Sequence, residues 1–167
     1  MFNILLVDDQ QTKYEEIKRI INLDKVNFYW LENHSRIKSM LYRDYDLILL
    51  DMSYPGDSLG GLGVLNRLVL EKYHCPVIVI TQYYNFINLE SADESICIIN
   101  NNYGKEVDEV IEYEDNLKML PDLHNYLTNV YPNYYGCVLF SSFNTSWVDN
   151  LKIFLKEILP NEDIIVG

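Results

Sequence analysis

Four polar residues stand directly at the ends of apolar runs, and three of them are carboxylates. Asp8 and Asp9 follow Asn3-Ile4-Leu5-Leu6-Val7, Asp51 follows Tyr45-Asp46-Leu47-Ile48-Leu49-Leu50, and Thr81 closes Pro76-Val77-Ile78-Val79-Ile80. Carboxylates brought together repel, so either one takes a proton or a cation shares them. Mg²⁺ suits such a group, because it takes oxygen ligands and is commonly held by one or two carboxylates, waters and a phosphate. A carboxylate beside that ion can act as a nucleophile toward a phosphoryl group, and a threonine hydroxyl could donate to one phosphoryl oxygen. Taken singly, each residue has an ordinary explanation: Asp8 or Asp9 as a helix N-cap, Asp51 as a loop cap, Thr81 as a strand residue. As a set on three strand ends, they read as a site.

The elements that would carry this set are legible from residue 1 to 81. Residues 3–7 and 45–50 are continuous apolar runs of the kind that form strands buried on both faces. Residues 26–31 (Val-Asn-Phe-Tyr-Trp-Leu) and 76–81 are two further strands, the last with Pro76 at a permitted first position. Between them, Tyr14, Ile17, Ile20 and Ile21, then Ile37, Met40 and Leu41, then Val64, Leu65, Leu68 and Val69 mark three helices. Strands alternating with helices mean βαβ units and a parallel sheet, with right-handed crossovers placing helices on both faces. The fold class expected is therefore α/β, a doubly wound parallel sheet. In such sheets ligands bind beyond the carboxyl ends of the strands, where Asp8, Asp9, Asp51 and Thr81 fall.

Beyond residue 81, two segments compete for the fifth strand: residues 95–99 and residues 107–113. Pro121 suits the start of a helix continued by Leu123, Leu127 and Val130. Residues 136–140 are another strand candidate. Trp147, Leu151, Phe154, Leu155 and Ile158 form a helical stripe, expected to face the core, and Ser146 with Asp149 resembles a capping pair. Residues 163–167 look like a strand cut short. The expected division is a unit over 1–131 and a strand–helix extension over 132–167, packed on it or leading to a further part.

Composition narrows the functions. The chain has 167 residues, enough for a sizeable core, and 14 Tyr, 6 Phe and 2 Trp argue against a disordered acidic chain. A net charge of −12 without a basic stripe argues against nucleic acid and against an anionic membrane surface. No apolar run approaches the roughly 20 residues of a transmembrane helix. The first residues lack the basic start of a signal peptide. Cys75, Cys97 and Cys137 form no CxxC pair, and His34, His74 and His124 are scattered, which points to reduced thiols of a cytoplasmic protein and no zinc site. Four of the seven glycines (Gly56, Gly60, Gly61 and Gly63) lie in a loop directly after Asp51. Their spacing is neither a dinucleotide fingerprint nor a P-loop, and Gly60 and Gly61 read as a turn into the third helix.

The ordered pieces Ile4-Leu5-Leu6-Val7-Asp8-Asp9-Gln10, Tyr45-Asp46-Leu47-Ile48-Leu49-Leu50-Asp51-Met52, Pro55-Gly56, Gly61-Leu62 and Pro76-Val77-Ile78-Val79-Ile80-Thr81 resemble the receiver domain of bacterial response regulators. The resemblance covers residues 2 to 82 and implies a CheY-like sheet order 2-1-3-4-5, here with an extra C-terminal strand–helix unit. It implies two-component signalling or a phosphorelay. Asp51 would accept phosphate from a partner histidine kinase or comparable signalling protein. Asp8, Asp9, Asp51 and the backbone carbonyl of Ser53 would hold Mg²⁺. Thr81 would bind the phosphoryl oxygen and switch partner binding. The module would assist its own phosphotransfer without being an enzyme proper.

Three departures accompany the resemblance. The segment from Pro55 to Gly61-Leu62 is about two residues longer than in typical receivers. The Lys-Pro pair expected after strand five is absent, and Lys105 is the lysine nearest that place. If residues 95–99 are strand five, Lys105 can reach the phosphate; if residues 107–113 are, it cannot. Residues 132–167 add a further unit. An alternative function is therefore a phosphorylation-independent pseudo-receiver acting as a protein–protein interaction domain. A haloacid-dehalogenase-type phosphatase fits poorly, since Gln10 and Gln11 stand where its second aspartate belongs. Residues 90–122 hold ten acids against two bases, a net −8 of the total −12, which points to a basic face on a protein partner.

Overall fold

The computed structural model describes residues 1–56, 60–82, 97–99, 103, 123–141, 145–160 and 163–166. In chain order the elements are β1 (Phe2–Val7), α1 (Gln11–Ile20), β2 (Val26–Leu31), a 3₁₀ helix (His34–Met40), β3 (Leu47–Leu50), α2 (Gly60–Leu70), β4 (Val77–Thr81), β5 (Cys97–Ile99), α3 (Leu123–Val130), β6 (Tyr134–Leu139) and α4 (Ser146–Ile158).

The strands form one sheet in the order β2-β1-β3-β4-β6-β5. All neighbours pair in parallel except β5, which runs antiparallel to β6 at the edge. The parallel strands alone have the order 2-1-3-4-5 expected of a CheY-like fold. The fifth parallel place belongs to residues 134–139, within the segment expected as an extension. Residues 95–99 do not take it: Cys97–Ile99 is the antiparallel edge strand, one place further out. The other candidate, residues 107–113, lies outside the described residues, as does Pro121.

Each parallel strand alternates its side chains between two cores, which is why β1, β3 and β4 read as unbroken apolar runs. Ile4, Leu6, Leu47, Leu49, Ile78, Ile80 and Val138 face one core, together with Ile17 of α1 and Trp147, Leu151 and Phe154 of α4. Leu5, Val7, Ile48, Leu50, Val77, Val79 and Cys137 face the other, with Ile37 of the 3₁₀ helix, Leu65 and Leu68 of α2 and Leu127 of α3. The helical stripe of α4 is thus core-facing. Its N-cap is Thr145, not Ser146, and makes no side-chain cap bond, while Asp149 lies in the first turn, where the helix dipole favours an acid. The second expected helix is a 3₁₀ helix kinked at Arg36, started by Asn33, whose side chain accepts from the Ser35 N–H.

Two links tie the C-terminal elements to the rest. The Asn133 amide donates to the carbonyls of Tyr73 (2.7 Å) and Cys75 (3.0 Å), and its own carbonyl accepts from Val77 N–H (2.8 Å), setting β6 against β4. Ile165 forms an antiparallel bridge with Ile21, directly after α1. Cys75 and Cys137 are buried thiols outside any disulfide. Among the described residues no helix is long and apolar enough to cross a membrane.

Candidate functional site

Register brings the acids together. Val7 on β1 pairs with Leu50 on β3, which pairs with Val79 on β4. One step further along the three central strands, Asp8, Asp51 and Ile80 stand abreast at the carboxyl edge. Asp8 N–H still bonds to Leu31 carbonyl (3.1 Å) and Asp51 N–H to Val7 carbonyl (3.0 Å), so the backbone ladder holds both acids to the sheet. Ligand oxygens of Asp8, Asp9 and Asp51 all lie within 4.8 Å of one another. Asp8 and Asp51 are buried and Asp9 is half-buried.

Neither Asp8 nor Asp9 caps α1. The N-cap is Gln10 without a side-chain bond, and Asp8 Oδ1 accepts instead from the Gln10 N–H (2.9 Å), turning the chain into the helix. The indole N–H of Trp30 donates to the Asp8 carbonyl (2.7 Å), and the Trp30 ring stacks on Tyr14 of α1 at 4.4 Å. These contacts fix the β1–α1 turn from both sides.

A lysine enters the acidic group from α1. Lys13 Nζ lies 2.8 Å from Asp8 Oδ2 and 3.7 Å from Asp51 Oδ1, with its side chain only 1% exposed. It donates to the carbonyl of Ile80 (2.7 Å) and sits 5.3 Å from the ring centre of Phe140, the residue after β6. One ammonium therefore touches the carboxyl ends of β1, β3, β4 and β6. Burial pushes the Asp8 carboxyl above the usual range, opposed by the Lys13 charge and reinforced by Asp51. Burying a charge is tolerated only when it is paired and hydrogen-bonded, and Lys13 meets both conditions.

Three carboxylates against one ammonium leave a formal deficit of two positive charges, which matches a divalent cation. Asp9 Oδ1 is buried without a hydrogen-bond partner, an orphan that a cation would satisfy. The donors are all oxygens, as a hard ion requires.

The loop after Asp51 is fastened from below. Asp51 Oδ1 accepts from the Met52 N–H (2.8 Å), the Tyr54 hydroxyl donates to Val7 carbonyl (2.9 Å), and the His34 ring stacks on Tyr54 at 3.9 Å. Gly56 has φ of +75°, a left-handed turn open to glycine. Gly61, at the start of α2, donates its N–H to Met52 carbonyl (3.1 Å).

Of the residues singled out from sequence, the fold gathers Asp8, Asp9 and Asp51 into one cluster. Thr81 is fully buried at the end of β4, its carbonyl accepting from Phe140 N–H (2.9 Å). Ser53 is half-buried, two residues past Asp51. Lys105 lies outside the described residues and precedes the fifth parallel strand, which is followed by Phe140-Ser141 with no Lys-Pro pair. The acidic segment 90–122 is also outside them, apart from Cys97–Ile99 and Tyr103. Sequence reasoning misses Lys13. Its signal is spacing: Lys13 lies four residues before Ile17 and eight before Ile21, on the buried stripe of α1, where a lysine must have a partner.

The family profile described as the response regulator receiver domain matches residues 4–94. Solved structures share the fold. Response regulator TrrA from Thermotoga maritima, in complex with Mg²⁺-BeF, is 22% identical over 95% of this chain and 100% of its own, with a TM-score of 0.51. A CheY-like receiver domain protein from Methanospirillum hungatei is 13% identical over 97% and 99%, with a TM-score of 0.55. The phosphorylated cyanobacterial phytochrome response regulator RcpA is 16% identical over 99% of each chain, with a TM-score of 0.53. At these identities the likeness is one of fold. No match is found among curated proteins.

Proposed function

The chain belongs to the response regulator receiver domain family, and from that premise we propose that it is a signalling receiver phosphorylated on Asp51 by a partner histidine kinase. The observation that carries this reading is the Asp8–Asp9–Asp51 cluster at the carboxyl edge, with its orphaned Asp9 oxygen. Mg²⁺, held by Asp8, Asp9, Asp51 and the Ser53 carbonyl, would neutralise charge on the phosphoryl oxygens.

The chain's own part is positioning. Asp51 Oδ1 is engaged by Met52 N–H and faces Lys13, which leaves Oδ2 to attack phosphorus. The P–O bond to Asp51 forms as the P–N bond to the kinase histidine breaks, and the departing imidazole takes up a proton. Thr81 would receive a phosphoryl oxygen through its hydroxyl and pass the change to a partner-binding surface. Such a module switches partners and does not turn over a substrate.

The test is incubation with Mg²⁺ and acetyl phosphate, read by intact mass. Wild type should gain one phosphoryl group and Asp51→Asn none. No gain in wild type, or an equal gain in the variant, would refute the reading.

A second reading, a phosphorylation-independent interaction domain, is favoured by one observation: Lys13 already neutralises Asp8 within the pocket. It calls for partner binding that Asp51→Asn leaves unchanged.

A further inference from the structure

We propose that Lys13 is the cation that receives the phosphoryl group in this pocket, supplied by α1 in place of a lysine after the fifth parallel strand. The inference rests on the receiver reading above and gives Lys13 a role which that reading leaves unassigned. The ammonium donates to the Ile80 carbonyl at 2.7 Å and forms an ion pair with Asp8 Oδ2 at 2.8 Å, which leaves donor capacity over. The approach to Asp51 Oδ1 is 3.7 Å, too long for a hydrogen bond. The ammonium thus stands beside Asp51 without being committed to it. A phosphoryl group added to Asp51 brings three further oxygens into the pocket that this charge borders, where a charge-assisted bond can form.

The surroundings hold Lys13 for this task. Phe140 covers the ammonium at the end of β6, and the Ile80 carbonyl anchors it beside Thr81. No lysine or arginine follows β6 before Lys152 in α4, so the chain after the fifth parallel strand supplies no cation of its own. A lysine serving only as counter-ion to Asp8 has no need to lie between two carboxylates. Lys13 sits between Asp8, on the expected metal side, and Asp51, on the expected phosphoryl side.

Lys13→Met keeps the length and removes the charge. Mg²⁺ should then bind at least about tenfold more tightly, because a positive charge has left the cluster. At saturating Mg²⁺, beryllofluoride should bind at least about tenfold more weakly, because its own counter-charge is gone. These opposite signs separate the role from general loss of structure. Beryllofluoride bound as tightly by Lys13→Met as by wild type overturns the inference and leaves the receiver reading standing. Wild type that takes up no beryllofluoride overturns both. Nitrogen NMR on wild-type protein with labelled lysine tests the same point without a variant. The Lys13 Nζ resonance should move on adding beryllofluoride beyond its position with Mg²⁺ alone, and an unmoved resonance overturns the inference.

Discussion

A Cβ added to Gly61 would lie 2.8 Å from the carbonyl oxygen of Asp51, and 2.6 Å and 2.9 Å from Sδ and Cα of Met52. The start of α2 therefore presses on the backbone of the candidate phosphoacceptor, and no side chain fits between them. Gly61→Ala should cost about 2 kcal/mol or more, since backbone must shift to admit the methyl group. At Gly63, two residues on, an added Cβ would meet nothing within 4 Å, and Gly63→Ala should stabilise α2 by roughly 0.5–1 kcal/mol. Urea unfolding of the two variants should give changes of opposite sign.

Asn133 joins the turn before β6 to the chain entering β4 through three hydrogen bonds. Asn133→Ala removes the amide donor and leaves the carbonyls of Tyr73 and Cys75 short of a partner, at a cost of about 2–3 kcal/mol. Asn133→Asp should be worse, because it replaces the donor with a charge facing two carbonyl oxygens. Denaturant midpoints would rank wild type, Ala and Asp in that order.

Alkali should destabilise the fold through one buried thiol and two half-buried phenols that keep their protons. Burial raises the Cys75 thiol to about 12 and the phenols of Tyr73 and Tyr135 to about 12, against 9.0 and 10.0 for the free groups. A raised folded-state pKa means the native state holds its proton where the unfolded chain has lost it. The associated stability is complete below pH 9 and falls as pH rises toward 12. The urea midpoint should decline across that window, and Tyr73→Phe should decline less steeply.

Trp30 reports on the pocket, because its indole N–H bonds to the carbonyl of Asp8 at 2.7 Å. Mg²⁺ should change the tryptophan emission, and Asp9→Asn should shift the half-saturating Mg²⁺ concentration upward by about tenfold or more. In Trp30→Phe the remaining Trp147 should show little of the change. An emission that ignores Mg²⁺ in wild type, while calorimetry shows binding, would mean that the β1–α1 turn does not feel the ion.

The sequence discloses those parts of the fold that depend on local pattern. Residues 4–7, 47–50 and 77–80 are apolar on both faces, so β1, β3 and β4 and the polar residues that end them are visible without pairing information. The fifth parallel strand is different. Residues 95–99, 107–113 and 136–140 all carry strand-like runs, and which one lies beside β4 depends on contacts distant in sequence, Asn133 with Tyr73 and Cys75 among them. Lys13 is hidden for a related reason. A charged residue near a helix start reads as solvated until the sheet edge shows Asp8, Asp51, Ile80 and Phe140 closing around it.

The position of β6 also shapes how the chain folds. The strands β1 to β4 meet through short crossovers, whereas β6 can join β4 only by closing residues 82–133 into a loop. Non-local pairings of this kind slow folding, so docking of β6 is expected to be the late step, after a β1–β4 nucleus has collapsed. Loop-closure entropy grows only with the logarithm of length, about 0.6 kcal/mol for each doubling. The closure cost itself therefore changes little with the length of this connection, while the docking event carries the kinetic burden.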